Sequence, residues 1–190
     1  MAYDDFNRSN SGNLGPGWEK VGTASGGKTV TSNQAVSGSG SSNSKRTDTY
    51  ANNQFAQVVF STAPSRGNYP GIATRFSNSG DQIRGYQLFA NENRDLTLQK
   101  YVAGAPRLEI LKGMPAPVAG QTVRLVSNGD THSVWLSSGD ANHPLNVEGF
   151  ELVGVVRDNA VASGTTAITS YYTTSGAMDN WVSGNLILRD

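Results

Sequence analysis

Paired carboxylates are the first residues of this chain that could do chemistry, because two of them can hydrolyse a glycosidic bond. They must flank one bond, about 5 Å apart when the sugar configuration is retained. The chain has five Glu residues, and the nearest pair is Glu148 and Glu151. At a spacing of three residues in a strand, these side chains would point to opposite faces. We therefore interpret them as a solvated loop followed by a strand, and we predict no enzymatic activity.

Serine and histidine offer a second kind of chemistry, in which imidazole would activate a hydroxyl nucleophile. No serine of the chain lies in a G-x-S-x-G sequence. His132 alternates with Val134 and Leu136, so we expect its imidazole to be packed in the core, whereas His143 precedes Pro144 in a loop. The spacing of the two histidines does not match zinc ligands, and the chain has no Cys. The sequence therefore predicts neither a catalytic triad nor a zinc site.

A third group of residues could bind a ligand rather than react with it. Gln99, Tyr101, Arg124 and Trp135 fall on the polar side of alternating sequences. Aromatic rings can stack on sugar rings, and amide or guanidinium groups can hydrogen-bond sugar hydroxyls. Exposed aromatic side chains also mark protein interfaces. We predict that these four residues form one outward face that binds either carbohydrate or a partner protein.

The composition limits the elements that can position these residues. The chain has 190 residues, of which 22 are Gly, and its 15 basic and 15 acidic residues give a net charge of zero. This charge balance gives no electrostatic footprint for nucleic acid. No apolar run is long enough to span a bilayer, and the acidic start of the chain does not resemble a secretion signal. We expect one soluble domain over residues 1–190, with no nucleic-acid or membrane partner.

Alternation with a period of two dominates the chain from residue 54 onward, and this pattern is typical of half-buried β-strands. About a dozen short strands are separated by residues that favour turns. Asn128-Gly129 lies between two such strands and predicts a β-hairpin. The pattern indicates an all-β fold, a two-sheet antiparallel sandwich.

Several segments, taken in chain order, carry a resemblance to a known family. They are DDFNR at 4–8, LGPGW at 14–18, YQLFAN at 86–91, LTLQK at 96–100, VRL at 123–125, THSVWLSSG at 131–139, VRDNAVASG at 156–164 and AMDNW at 177–181. Together they resemble the concanavalin A-like lectin/glucanase superfamily, in the laminin G-like jelly-roll branch found in phage virions and bacterial surface proteins. The resemblance implies a two-sheet antiparallel jelly roll whose first and last strands are adjacent, which would bring Phe6 near Trp181. Hydrolases of the superfamily carry a Glu-x-Asp-x-(x)-Glu strand motif, which this chain lacks.

Adjacent terminal strands would also bring carboxylates together. Asp4 and Asp5 could then meet Asp179 and Asn180, and oxygen ligands of this kind suit calcium. Alternatively, Asp5 and Asp179 could hydrogen-bond within their own turns. We keep a calcium site at Asp5 and Asp179 as a hypothesis, and we predict no other cofactor.

The resemblance leads us to a functional prediction. We predict a non-catalytic surface module of a virus particle, either a phage capsid decoration or a tail protein, that binds glycan or neighbouring virion proteins and forms a homo-oligomer. The alternative is a stand-alone bacterial lectin or carbohydrate-binding module, which would be extracellular or at the cell surface. A glycoside hydrolase is a third and weaker alternative, because the carboxylate pair that it needs is missing.

Overall fold

The computed structural model describes residues 1–21, 27–37, 40–65, 67–80, 82–90, 95–137, 149–173 and 177–186. These residues form fifteen β-strands and no α-helix. In the same ranges, no helix has the length and apolar character that crossing a membrane requires.

The strands are numbered in chain order. They are β1 (Ala2–Asp4), β2 (Trp18–Val21), β3 (Lys28–Thr31), β4 (Gln34–Ser37), β5 (Gly40–Arg46), β6 (Gln54–Phe60), β7 (Tyr69–Ser79), β8 (Gln82–Ala90), β9 (Leu96–Tyr101), β10 (Leu108–Met114), β11 (Thr122–Asn128), β12 (Thr131–Ser137), β13 (Phe150–Arg157), β14 (Thr165–Thr173) and β15 (Met178–Asn185).

The strands form two antiparallel sheets. The eight-stranded sheet has the order β13-β12-β11-β6-β15-β4-β3, with β1 also paired to β15. The seven-stranded sheet has the order β10-β9-β8-β7-β14-β5-β2. Neighbours in each sheet often come from distant parts of the sequence, as in a jelly roll. The predicted all-β, two-sheet antiparallel jelly-roll sandwich is therefore confirmed.

The core lies between the two sheets, and the alternating apolar residues supply it. Leu96 and Leu98 of β9 face Val123 and Leu125 of β11 across one cluster, and all four are fully buried. The hairpin predicted at Asn128-Gly129 is present, since β11 and β12 pair from Val123↔Leu136 to Asn128↔Thr131. Alternation thus identified which side of each of these strands is apolar.

The first and last strands are adjacent, as the resemblance implied. β1 pairs with β15, and Asp4 lies opposite Trp181 in the register. Phe6 and Trp181 meet through Trp18, whose ring centroid lies 6.2 Å from Phe6 and 5.4 Å from Trp181. Edge-to-face and tilted aromatic contacts of this kind stabilise a core beyond the area they bury.

A charged residue, Lys28, lies inside the sandwich. Its side chain is fully buried, and Nζ donates a hydrogen bond to Ser37 Oγ at 2.9 Å. Ser37 Oγ donates in turn to Ser170 Oγ of the opposite sheet at 2.8 Å. Burial lowers the pKa of Lys28 to about 7, because low polarity disfavours the charged amine. None of the ion pairs between described residues includes Lys28.

Candidate functional site

The four residues predicted to bind a ligand lie on two different sheets, so they do not form one face, and a role for either pair in binding stays a prediction. Gln99 and Tyr101 belong to β9 of the seven-stranded sheet, whereas Arg124 and Trp135 belong to β11 and β12 of the eight-stranded sheet. Alternation shows which side of its own strand a residue occupies. It does not show to which sheet the strand belongs, and here each pair lies on the outer side of its own sheet.

Arg124 and Trp135 are neighbours, and with Phe150 and Leu152 they form what we call the Trp135 surface. Arg124 lies opposite Trp135 in the register, and Trp135 lies opposite Leu152. The Arg124 guanidinium carbon is 4.0 Å from the centroid of the Phe150 ring, and its Nε donates to Gln57 Oε1 at 2.8 Å. Burial lowers the pKa of Arg124. The pair of rings and a stacked cation could support a flat ligand or a partner protein.

Gln99 is buried and its amide is already engaged. Gln99 Oε1 accepts a hydrogen bond from the Tyr101 hydroxyl at 3.0 Å, and Gln99 Nε2 donates to Glu109 Oε1 at 3.4 Å. Only 2% of the residue is exposed. A ligand that reached Gln99 would therefore have to displace an existing hydrogen bond, which weakens its case as a contact residue.

The carboxylates of Asp4, Asp5 and Asp179 lie close together, but each already accepts hydrogen bonds from other groups of the protein. Asp4 accepts from the backbone N–H of Phe6 and from the side chains of Arg8 and Trp18. Asp5 accepts from the N–H of Asn7, and Asp179 accepts from the N–H of Asn180. Burial is the main cause that raises the pKa of Asp179, and the nearby Asp5 and Asp4 add to it.

These contacts leave the calcium hypothesis without support. Asp5 and Asp179 each bond within their own turn, which is the alternative that the sequence left open. Among the residues whose placement is described, no group of three or more His, Asp or Glu side chains is arranged to hold a metal ion.

His132 is a core residue, as predicted. Its Nε2 donates to the Asp158 carbonyl at 3.0 Å, which leaves Nδ1 to accept from the Ser127 hydroxyl at 2.9 Å. The ring also stacks on Tyr86, with 3.7 Å between the centroids. Burial is the main cause that lowers the pKa of His132 to about 4. Ser127 and His132 are both fully buried, so this serine has no access to a substrate.

Two residues from the sequence arguments, His143 and Glu148, lie outside the described residues. Glu151 is described, and it is an exposed residue of β13 opposite Leu136. The carboxylate pair considered in the sequence, Glu148 and Glu151, therefore has one described member.

An open pocket of about 540 Å³ lies where the β5–β6, β11–β12 and β13–β14 connections meet. Its volume is in the range of sites that bind small molecules. Its polar side chains come from Asn52, Asn53, Arg75, Asp130 and Asn159, and we call it the loop pocket. The sequence arguments did not identify this pocket.

The Arg75 side chain donates a hydrogen bond to each of the three connections. Its Nε donates to the carbonyl of Asn52 at 2.9 Å, its Nη1 to that of Val161 at 3.0 Å and its Nη2 to that of Gly129 at 2.5 Å. The backbone at Arg75 is in the left-handed region, with φ of 50°, and its N–H donates to Gln54 Oε1. One side chain therefore fixes a backbone carbonyl in each of the connections that border the pocket.

Asp158 provides a second set of hydrogen bonds at the pocket. Its backbone N–H donates to the carbonyl of Asp130 at 2.8 Å, which joins two walls of the pocket. Its carboxylate accepts from the Tyr86 hydroxyl at 2.7 Å and from Lys100 Nζ. Because of the hydrogen bonds from Lys100, Ala160 and Tyr86, the pKa of Asp158 is lowered even though burial would raise it. The pocket walls are thus held in place before any ligand arrives.

The side chains at the pocket surface are available for binding. The amides of Asn52 and Asn159 are exposed and make no side-chain hydrogen bond with another described residue. Asn53 uses Oδ1 to accept from the N–H of Gly129, which leaves its NH₂ group for a ligand. Asp130 is exposed and accepts from Thr131 at 3.2 Å. Amide and carboxylate groups held on rigid loops can pair with the hydroxyl groups of a ligand.

The sequence signal for this site was weak. Asp130 follows Asn128-Gly129, and in the sequence this position indicates a turn residue, which is correct for its backbone. Asn52 and Asn53 stand in a stretch of turn-forming residues, where asparagine is common for conformational reasons alone. Only the packing of three separate connections on Arg75 brings these residues to one place.

No protein-family model and no curated protein matches the chain. Solved structures do resemble it. They include the carbohydrate-binding module CBM66 from Bacillus subtilis, with a TM-score of 0.56 and 15% identity over 91% of this chain and 95% of that one. The Ca²⁺/Man-bound exoplasmic/lumenal domain of VIP36 has a TM-score of 0.67 and 10% identity over 93% and 86%. The Bacillus licheniformis β-glucanase has a TM-score of 0.60 and 11% identity over 98% of each chain.

These similarities agree with the two antiparallel sheets described above. The chain has the concanavalin A-like jelly-roll fold, as the sequence resemblance predicted. At this level of identity the comparison defines the fold alone, because one fold can carry unrelated functions. The site must therefore support any functional conclusion.

Proposed function

We propose that this chain is a non-catalytic carbohydrate-binding module that holds a saccharide in the loop pocket, with residues 1–190 acting as one domain. The observation that carries the proposal is the pocket itself, in which exposed amides and a carboxylate are mounted on connections that Arg75 and Asp158 hold together. A sugar presents many hydroxyl groups, and donors and acceptors in fixed positions bind them without a large entropic cost.

The chemistry of the pocket favours binding over hydrolysis. Glycoside hydrolysis needs two carboxyl groups on either side of the scissile bond. Asp130 is the one carboxylate among the described residues that line the pocket. The other polar side chains of the lining are amides and a guanidinium, which can hydrogen-bond a sugar but cannot serve as its acid or its nucleophile.

The comparisons support the same class of function. Among the similar structures are the module CBM66, a CBM40 module bound to α2,3 sialyllactose, and the exoplasmic/lumenal domain of VIP36 in a Ca²⁺/Man3GlcNAc-bound form. These proteins bind carbohydrate, whereas the GH43 protein BlXynB from Bacillus licheniformis also shares the fold. They favour a lectin or carbohydrate-binding module, extracellular or at a cell surface, over a virion protein. A virus particle, virion partners and a homo-oligomer stay predictions from the sequence resemblance.

The Trp135 surface is the competing location for the ligand, and mutagenesis separates the two. We would screen the purified chain on a glycan array and measure the affinity of the best saccharide by isothermal titration calorimetry. Asn159→Ala removes an exposed pocket amide, and we expect it to weaken binding about tenfold, as the loss of a ligand hydrogen bond does. Trp135→Ala is the matched change on the other surface, and we expect less than a twofold effect.

Two outcomes would contradict the proposal. One is an array on which no saccharide binds. The other is a loss of affinity in Trp135→Ala while Asn159→Ala binds like the wild type, which would move the site to the Trp135 surface. Hydrolysis of a bound polysaccharide that disappears in Glu151→Gln would instead support the glycosidase alternative.

A further inference from the structure

The charge of Arg75 has no carboxylate partner among the described residues. The ion pairs there join Arg8 to Asp4, Lys45 to Glu19, Arg46 to Asp48 and Lys100 to Asp158. Arg75 is 2% exposed, and its described partners are neutral backbone carbonyls. A buried cation without a counter-ion is costly, and an anion that arrives next to it is correspondingly favoured.

Arg75 also has unused hydrogen-bonding capacity at its forked end. A guanidinium carries five N–H groups. Three of them donate to the carbonyls of Asn52, Val161 and Gly129, so one N–H on Nη1 and one on Nη2 are left. Arg75 forms part of the pocket lining, which places its buried charge at the wall of the pocket. A guanidinium fork matches the two oxygens of a carboxylate.

We propose that the loop pocket selects a saccharide that carries a carboxylate, such as a uronic acid, with the carboxylate beside Arg75 and the hydroxyl groups on the surrounding asparagines. This inference rests on the proposed function, since it names the substrate class of the same site. It goes beyond that function because a neutral sugar would satisfy the amides equally well.

Asp130 is the feature of the pocket that opposes this selection. Its carboxylate lines the same pocket and would repel an anionic ligand. Asp130 is exposed, so water and salt screen its charge, whereas the charge of Arg75 is buried and screened less. The net preference is therefore for an anion, and Asp130 provides a means of adjusting it.

The experiment compares each acid with its own neutral form. The probes are oligomers of galacturonic, glucuronic, guluronic and mannuronic acid, each measured by titration calorimetry beside its methyl ester and the matching neutral sugar. We expect the preferred acid to bind at least tenfold more tightly than its ester at low salt, and we expect this ratio to fall as salt is raised, because charge is the difference between them.

Charge-changing variants at exposed positions test the electrostatic origin without touching Arg75. Asn159→Asp removes an amide donor for both ligands and adds a negative charge to the pocket wall, so we expect both to bind more weakly and the ratio of acid to ester affinity to fall at least fivefold. Asp130→Asn removes a negative charge and should strengthen binding of the acid about threefold. Asn33→Asp in the exposed β3–β4 turn changes the net charge equally outside the pocket and should leave both affinities unchanged.

The outcomes separate this inference from the proposed function. Equal affinity for acids and esters, or binding of neutral sugars alone, overturns the selection for a carboxylate and leaves the carbohydrate-binding proposal in place. An absence of binding to every acidic and neutral glycan overturns both.

Discussion

Arg75 and Lys28 are both cations buried in the sandwich, and neither has a carboxylate partner among the described residues. Their surroundings differ. Arg75 donates three side-chain hydrogen bonds to carbonyls of three connections, whereas Lys28 Nζ donates one to the hydroxyl of Ser37. Carbonyl oxygens are partly negative and tolerate a cation, while one hydroxyl compensates a buried ammonium poorly.

The comparison shows how the same kind of charge serves two purposes. At Arg75 the cost of burial is offset by hydrogen bonds that position three pocket walls, so we assign this charge to the proposed binding site. At Lys28 the hydrogen bonds join the two sheets through Ser37 of β4 and Ser170 of β14, and Lys28 does not line the loop pocket. We therefore expect removal of the charge to destabilise the fold at Arg75 and to stabilise it at Lys28.

The largest effect is expected from Arg75→Met, which keeps most of the stem and removes the guanidinium. The carbonyls of Asn52, Val161 and Gly129 would lose their donors, and we expect the free energy of unfolding to fall by about 3 to 5 kcal/mol. Urea denaturation followed by tryptophan fluorescence measures this change. Arg84→Met, at an exposed position of β8, is the control and should change stability by less than about 0.5 kcal/mol. Equal stability of Arg75→Met and Arg84→Met would show that the hydrogen bonds of the Arg75 guanidinium do not stabilise the fold.

Lys28→Met is expected to act in the opposite direction, with a dependence on pH. The pKa of Lys28 is about 7 in the fold against 10.5 in the unfolded chain, so the unfolded state binds more protons between these values. The stability of the wild type should therefore rise from pH 7 to pH 10.5, with this residue contributing at most about 1.4 kcal/mol per pH unit. Lys28→Met removes that slope and should be the more stable protein at pH 7.

Denaturation at pH 7 and pH 10 checks this expectation, with Lys112→Met at an exposed position of β10 as the control. The advantage of Lys28→Met should shrink as pH rises, because deprotonating the wild-type amine on folding costs less as the pH approaches 10.5. A variant that is less stable than the wild type at both values would show that the hydrogen bond to Ser37 outweighs the cost of burying the charge.

A smaller effect is expected at His132, which lies beneath the pocket connections. Its pKa is lowered to about 4 from 6.5, so the unfolded chain takes up the proton first as pH falls. Stability should decline from pH 6.5 to pH 4 by up to roughly 1.4 kcal/mol per unit and then lose no more through this residue. The side chain of His132→Gln cannot titrate, so the stability of this variant should change less between pH 6.5 and pH 4. If the stabilities of the wild type and the variant fall in parallel over this range, other groups cause the decline.

Much of the fold could be predicted because its determinants are local. Asn128-Gly129 specifies a tight turn, and the alternation around it identified Leu125 and Val134 as core residues. The resemblance correctly placed the first strand beside the last. What alternation could not provide was the sheet to which a strand belongs, and for that reason Gln99 and Trp135 were wrongly assigned to one face.

The site was hidden because its contacts are distant in sequence. Arg75 donates to the carbonyls of Asn52, Gly129 and Val161. These residues are separated from Arg75 by 23, 54 and 86 positions along the chain. A lone arginine in an alternating strand gives no sign of such partners, and its left-handed backbone is not encoded by a glycine or an asparagine. Asn52 and Asn159 likewise become candidate binding residues only in the folded structure, in which the loops around Arg75 meet.

An NMR titration tests the central claim most directly, because it observes the pocket and the Trp135 surface in one experiment. The saccharide identified on the array would be added to ¹⁵N-labelled protein, and the backbone signals would be followed together with the side-chain N–H signals of asparagine, arginine and tryptophan. We predict that the largest shifts occur at Asn52, Gly129, Asp130 and Asn159, together with the Nε–H of Arg75. Shifts confined to Trp135, Phe150 and Leu152, with the Arg75 signals unmoved, would contradict the account.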